Sequence, residues 1–261
     1  MAITLTPLSG SGSVKEGDID DKSEPFCYLL EVDDARILLD CGSRDWDSDS
    51  SHSFKYESKL KDIAPTIDLL LISHSSSKHC GLYAYAYTHF GLKCPAYCSL
   101  PVKELARLST LEDIIGWRNE RDINNDVKNE GNEIWCVPTR EENRAAWSTV
   151  KDVRYHQPQH LYGKLRGVTI TAYSSGHTLG GTLWKIRAPS VGTILYAVGL
   201  NHMKERHLDG TVLLRGDSAA GGLAVHEQLI RPGLVITDSE RGDCINAKRK
   251  DRDAALLGEF F

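Results

Sequence analysis

His74, His79, His177 and Asp40 stand where a chain of this kind can do hydrolytic chemistry. His74 and His79 follow the apolar run Leu69-Leu70-Leu71-Ile72-Ser73, in the segment His74-Ser75-Ser76-Ser77-Lys78-His79-Cys80-Gly81. His177 follows the β-rich run Val168 to Tyr173, in Ser174-Ser175-Gly176-His177-Thr178-Leu179-Gly180-Gly181. Asp40 closes a third run, Arg36-Ile37-Leu38-Leu39. Imidazoles and a carboxylate gathered from strand ends are what a zinc hydrolase uses to hold an ion and activate water. Loops that follow strands are also where α/β folds place their sites. Each residue has a plainer role as well. His74 and His79 can cap a helix expected from Gly81, the glycines around His177 describe a tight turn with or without a metal, and Asp40 suits a loop acceptor.

The other candidates are weaker. Cys41 and Cys80 adjoin Asp40 and His79, but neighbouring side chains in an extended segment point to opposite faces, so they are not expected as ligands. His52, His89, His156, His160, His202, His207 and His226 fall in no ligand spacing. The seven cysteines are odd in number and contain no CxxC pair, which excludes a secreted disulfide framework. Lys248, Arg249, Lys250 and Arg252 could touch phosphate, but Asp251 and Asp253 interleave them, the pattern of a solvated helix face. With 36 acidic against 31 basic residues and a net charge of −5, whole-chain electrostatics gives nucleic-acid binding no support.

These residues must be positioned by a globular frame. The 261 residues are 41% apolar, enough for one large domain or two small ones, and no run approaches the roughly 20 apolar residues of a membrane span. Strands are expected at 3–6, 26–30, 36–39, 67–73, 153–156, 168–173, 182–186, 193–198 and 234–237. Helices are expected at 54–63, 81–90, from Pro101 with Val102, Leu105, Leu108, Leu111 and Ile114/Ile115 as the core-facing stripe, from the Thr139–Glu142 capping box through Trp147, and at 247–261. Residues 10–24 and 43–53 read as polar loops. Strands apolar on both faces, alternating with helices, make a layered α/β architecture.

In this order the motifs resemble the metallo-β-lactamase fold, and within it the nucleases that carry a β-CASP insertion. The match runs through residues 36–42, 71–81, 176–181, 195–197 and 234–239. The resemblance implies an αββα sandwich whose second half is incomplete, with residues 1–240 as its N-terminal portion and 241–261 as the truncated start of the β-CASP insertion. In an active member the segment at 74–79 would read His-x-His-x-Asp-His, and an aspartate bridging two zinc ions would follow the strand at 193–198. Here Ser76, Lys78 and Gly199 stand at three of those places. His74, His79 and His177 remain as donors, with Asp40 expected behind them. An ammonium about 4 Å from a divalent ion is opposed by about 2 kcal/mol in water and about 8 kcal/mol at an effective dielectric of 20. The expectation is therefore no catalytic residue and no zinc, with Lys78 taking over the positive charge and reaching toward Asp40.

The text at 180–186, 196–198, 201–202, 205–210, 231–232 and 236–239 is similar to non-catalytic subunits of the mRNA 3′-end cleavage and polyadenylation machinery. That similarity implies a nuclear scaffold beside a paralogous zinc endonuclease. Its implied partners are a symplekin-type scaffold and other cleavage factors, with pre-mRNA reached through the complex and no membrane. Two other readings are an active metallohydrolase using a single zinc on the three histidines, and the comparable inactive subunit of Integrator. The retained Gly176-His177 and the text at 196–210 argue against the latter.

Overall fold

The structure, a computed structural model, describes residues 3–9, 25–43, 54–123, 138–217, 222–225 and 227–239, together with 251, 252, 254, 255 and 258. Strands β1 (Thr4–Pro7), β2 (Tyr28–Val32), β3 (Ala35–Leu39), β4 (Leu69–Leu71), β5 (Ala96–Ser99) and β6 (Lys151–Val153) form one sheet in that spatial order. The first pairings are antiparallel, and β2 turns into β3 through Asp33, which takes φ 51°. Asp is one of the few side chains that enter that region readily. From β3 onward the pairing is parallel, and parallel neighbours need helical crossovers. These are α1 (Phe54–Ile63), α2 (Ser77–Cys80) with α3 (Tyr83–His89), and α4 (Leu100–Ile123) with α5 (Arg140–Thr149).

The second sheet contains β7 (Gln159–His160), β8 (Thr169–Ser174), β9 (Thr182–Ala188) and β10 (Gly192–Ala197). A separate hairpin follows, β11 (Leu214–Asp217) with β12 (Gly222–Val225), and β13 (Leu234–Thr237) then adds parallel to β10 at the sheet edge.

Alternation along the strands stacks the layers. Leu30, Ile37, Leu39, Leu69 and Leu71 of the first sheet meet Ile170, Trp184, Ile186, Ile194 and Tyr196 of the second. On the other face of the first sheet, Leu29, Leu38, Leu70 and Cys98 pack under Leu60, Tyr83, Val102, Ala106 and Trp147 of the helices. A fully buried Leu or Ile contributes about 1.5–3 kcal/mol, and a one-residue slip of any strand would expose its whole inward set. The far face of the second sheet carries Tyr173, Leu183, Leu195 and Ala197, covered among the described residues by Leu229 with Leu200, Val212 and Leu213. The fold is the expected α/β sandwich. No described helix is long and apolar enough to cross a membrane.

The structure corrects several expectations. The stripe of α4 that faces the core is Val102, Ala106, Thr110 and Ile114, while Leu105 and Leu108 are 38% and 51% exposed. Close approach of α5 explains the choice: Trp147 Nε1–H and Thr110 Oγ1 are 3.1 Å apart, and Thr110 Oγ1 donates to Asn143 Oδ1 at 3.1 Å. Small or hydroxyl residues admit that contact and leucines would block it. The helix expected at 81–90 is α3, and the short α2 before it was not expected; between the two, Leu82 N–H bonds Cys41 C=O at 3.0 Å. The strand expected at 153–156 ends at Val153, and His156 turns at φ 63°. The strands β11 and β12 of the separate hairpin are not among those expected. The capping box forms as expected, with Glu142 N–H on Thr139 Oγ1 and Thr139 N–H on Glu142 Oε2. Both polar loops lie almost wholly outside the described residues, as does most of the expected helix at 247–261, whose positions 251, 252, 254, 255 and 258 are helical.

Candidate functional site

The ends of β3, β4, β8 and β10 converge on one buried polar cluster. Asp40 leaves β3 with φ 59° and is fully buried. Its Oδ1 accepts Ser73 N–H at 2.6 Å. Its Oδ2 accepts from Ser73 Oγ at 2.6 Å, Tyr196 Oη at 2.7 Å and His79 Nδ1 at 2.8 Å. Four donors are what a buried carboxylate requires, since an unpaired charge in a protein interior costs several kcal/mol. Phe26 stacks on the His79 ring at 4.4 Å with the planes 6° apart, which fixes the ring against Asp40.

His74 continues the network. Its Nδ1 lies 2.9 Å from Ser73 Oγ and its Nε2 lies 3.1 Å from Ser175 Oγ. Nδ1 thus faces Ser73, while Nε2 faces Ser175 and lies beside Gly199, and the donor and acceptor roles at the two nitrogens follow the tautomer. Burial, with His79 and His177 close by, pushes the His74 pKa well below the ordinary histidine value; a backbone hydrogen bond at Gly199 works the other way. The ring is therefore neutral. Tyr196 is pushed well up by burial and then by the Asp40 charge, and stays a donor.

The loop bearing His177 is anchored from three sides. Ser175 N–H bonds Gly181 C=O at 2.9 Å, Ser99 Oγ donates to Gly180 C=O at 2.6 Å, and Tyr155 Oη donates to Gly181 C=O at 2.8 Å. His177 itself is exposed, its ring 6.1 Å from that of His74, while the His74 and His79 rings are 4.7 Å apart. The three histidines picked from sequence are thus brought together with Asp40.

The remaining positions fall differently. Gly199 lies beside the His74 ring, its N–H donating to Asp238 Oδ2 at 2.7 Å. Ser76 is exposed and Lys78 half-buried. Ser73, His79 and Tyr196 supply four donors to the Asp40 carboxylate. One position before His79 on α2, Lys78 is rotated about 100° from it around the helix axis. His74 and His79 do not cap a helix; both turn into the Asp40 network. Cys41 and Cys80 are buried among apolar side chains, and burial pushes both thiols well up. Among the described residues, no three His, Cys, Asp or Glu side chains converge as a metal-holding group.

A model of the metallo-beta-lactamase superfamily domain matches residues 29–236, which hold most of both sheets and the site residues from Asp40 to Gly199. The chain belongs to the metallo-β-lactamase superfamily. Within the superfamily it is 36% identical over 238 residues to cleavage and polyadenylation specificity factor subunit 2 of Oryza sativa subsp. japonica, covering 91% of this chain and 27% of that one. A Drosophila melanogaster protein named as a probable subunit 2 of the same factor is 33% identical over 237 residues, 91% of this chain and 27% of its own. Cleavage factor two protein 2 of Schizosaccharomyces pombe is 33% identical over 243 residues, 90% and 26% of the two chains. The chain spans about a quarter of the length of these relatives.

Ser73, Ser175, Tyr196 and Asp238 escaped the sequence reading as site residues. Each adjoins or sits inside one of the sequence motifs, before His74, before Gly176-His177, in Leu-Tyr-Ala and in Ile-Thr-Asp-Ser. Only their three-dimensional partners mark them as members of the cluster.

Proposed function

We propose that this chain forms the metallo-β-lactamase-like part of a non-catalytic scaffold subunit of the nuclear machinery that cleaves and polyadenylates mRNA. It works beside a paralogous zinc endonuclease and with a symplekin-type scaffold and other cleavage factors, and pre-mRNA is reached through them. Relatives at 33–36% identity that carry the names of cleavage and polyadenylation factors support the assignment to that machinery.

The non-catalytic half of the reading rests on the donor set, with one observation carrying it: both nitrogens of His74 are engaged by serine hydroxyls within the protein. The residues present do not fit the two zinc ions of an active relative. Ser76, Lys78 and Gly199 provide no imidazole or carboxylate, and Asp40, the one buried carboxylate among the described residues, is saturated by protein donors. Two dications need anionic donors to offset their mutual repulsion and their loss of water. What the cluster does instead is join the sheets, through Asp40 and Ser73 on one side and Tyr196 and Ser175 on the other.

Tagging the endogenous protein and purifying it from nuclear extract tests the assignment. Recovery of cleavage and polyadenylation factors, the catalytic endonuclease among them, is expected. Recovery of Integrator subunits in their place would contradict it.

A further inference from the structure

We propose that Ser175 and the bare backbone of Gly199 latch His74 out of metal ligation, so that a retained histidine is withheld by its placement as well as by the loss of its neighbours. The inference rests on the reading of this site as one without zinc chemistry and specifies how that state is kept.

A histidine ligates a metal through a ring nitrogen lone pair. In His74, Nδ1 lies 2.9 Å from Ser73 Oγ and Nε2 lies 3.1 Å from Ser175 Oγ, so in either tautomer the lone pair faces a protein partner. Ser175 is not free to move aside. It is fully buried, its N–H is held by Gly181 C=O at 2.9 Å, and its C=O accepts Asn201 N–H at 3.1 Å.

Gly199 closes the other side. A Cβ on residue 199 would lie 2.9 Å from His74 Cε1 and 3.0 Å from Nε2. The ring therefore occupies the room that any side chain at 199 would need. Gly181 repeats the pattern, since a Cβ there would meet Ser175 Oγ at 2.5 Å and His74 Nε2 at 2.9 Å. Ring, serine and two glycines form one closed arrangement, in which putting ligands back at 76 and 78 leaves Nε2 still engaged.

The test compares two full chains that both carry Ser76→His and Lys78→Asp, one of them with Ser175→Ala in addition. Zinc affinity is measured by competition with a chromophoric chelator. Ser175→Ala is expected to tighten zinc binding by about tenfold, the scale on which one competing hydrogen bond acts. Equal affinities would overturn the latch while leaving the scaffold reading intact. Stoichiometric zinc in the wild-type chain would overturn the scaffold reading.

Nitrogen–proton correlation spectra of the wild-type imidazoles decide the matter without any variant folding. The His74 Nε2 signal is expected to stay unshifted when equimolar zinc is added. A zinc-induced shift of that signal would overturn the latch.

Discussion

Tyr196 reaches from the second sheet to the first and donates its phenolic hydrogen to Asp40 Oδ2 at 2.7 Å. Both groups are fully buried, and the bond lies between the end of β3 and the end of β10. A hydrogen bond to a buried charge is worth about 1.5–3 kcal/mol, more than a neutral one, because its loss leaves charge facing an apolar wall. Tyr196→Phe keeps the ring and removes only that donor. Its urea midpoint should fall by the equivalent of about 1.5–3 kcal/mol with an unchanged slope. An effect under about 0.5 kcal/mol would show that the cluster does not hold the sheets together.

The loop that carries Ser175 and His177 depends on Gly176. Its φ is 73°, and a Cβ there would meet Thr211 N at 2.2 Å and Asn201 O at 2.5 Å, both backbone atoms that cannot rotate away. Left-handed backbone alone costs an L-residue about 1–2 kcal/mol, and the collision adds to it. Gly176→Ala should therefore lower the Tm by at least about 4 °C. Gly163→Ala is the control: its φ is 66°, but nothing lies within 4 Å of its Cβ position. Its loss should be smaller, and equal losses would mean that the packing around Gly176 is slack.

Alkaline pH probes the helix-covered face of the first sheet. Burial pushes the Cys94 and Cys98 thiols from 9.0 up to about 12. Raised values mean that the folded chain keeps these protons while the unfolded chain gives them up. The resulting stability is complete below about pH 9 and is lost as pH rises toward 12. Unfolding free energy measured by urea should decline above pH 9, and Cys94→Ala should make the decline shallower. An unchanged slope would mean that Cys94 titrates normally.

Much of the site was legible because chemistry-bearing residues lie at strand ends, where an apolar run stops and a polar segment begins. Asp40, His74, His79 and His177 carry that signal, and the fold brings all four together. Ser73, Ser175 and Tyr196 carry no such signal: serine at a turn and tyrosine in a strand are ordinary there, and only the convergence of the two sheets gives them partners. The core face of α4 departs from the expected stripe for a related reason. Leu105 and Leu108 are more apolar than Thr110, but hydrophobicity along one helix does not record how closely α5 approaches. The contact of Thr110 with Asn143 and Trp147 selects small residues for that face. Charge complementarity between Lys78 and Asp40 could be read from sequence, whereas the four donors that surround that carboxylate could not.

The central claim, that this cluster is a protein-satisfied polar hub and not a zinc centre, is tested most directly by elemental analysis of the purified chain after dialysis against zinc-containing buffer. The account predicts zinc far below one ion per chain. One or two ions per chain, together with RNA cleavage abolished by His177→Ala, would contradict it.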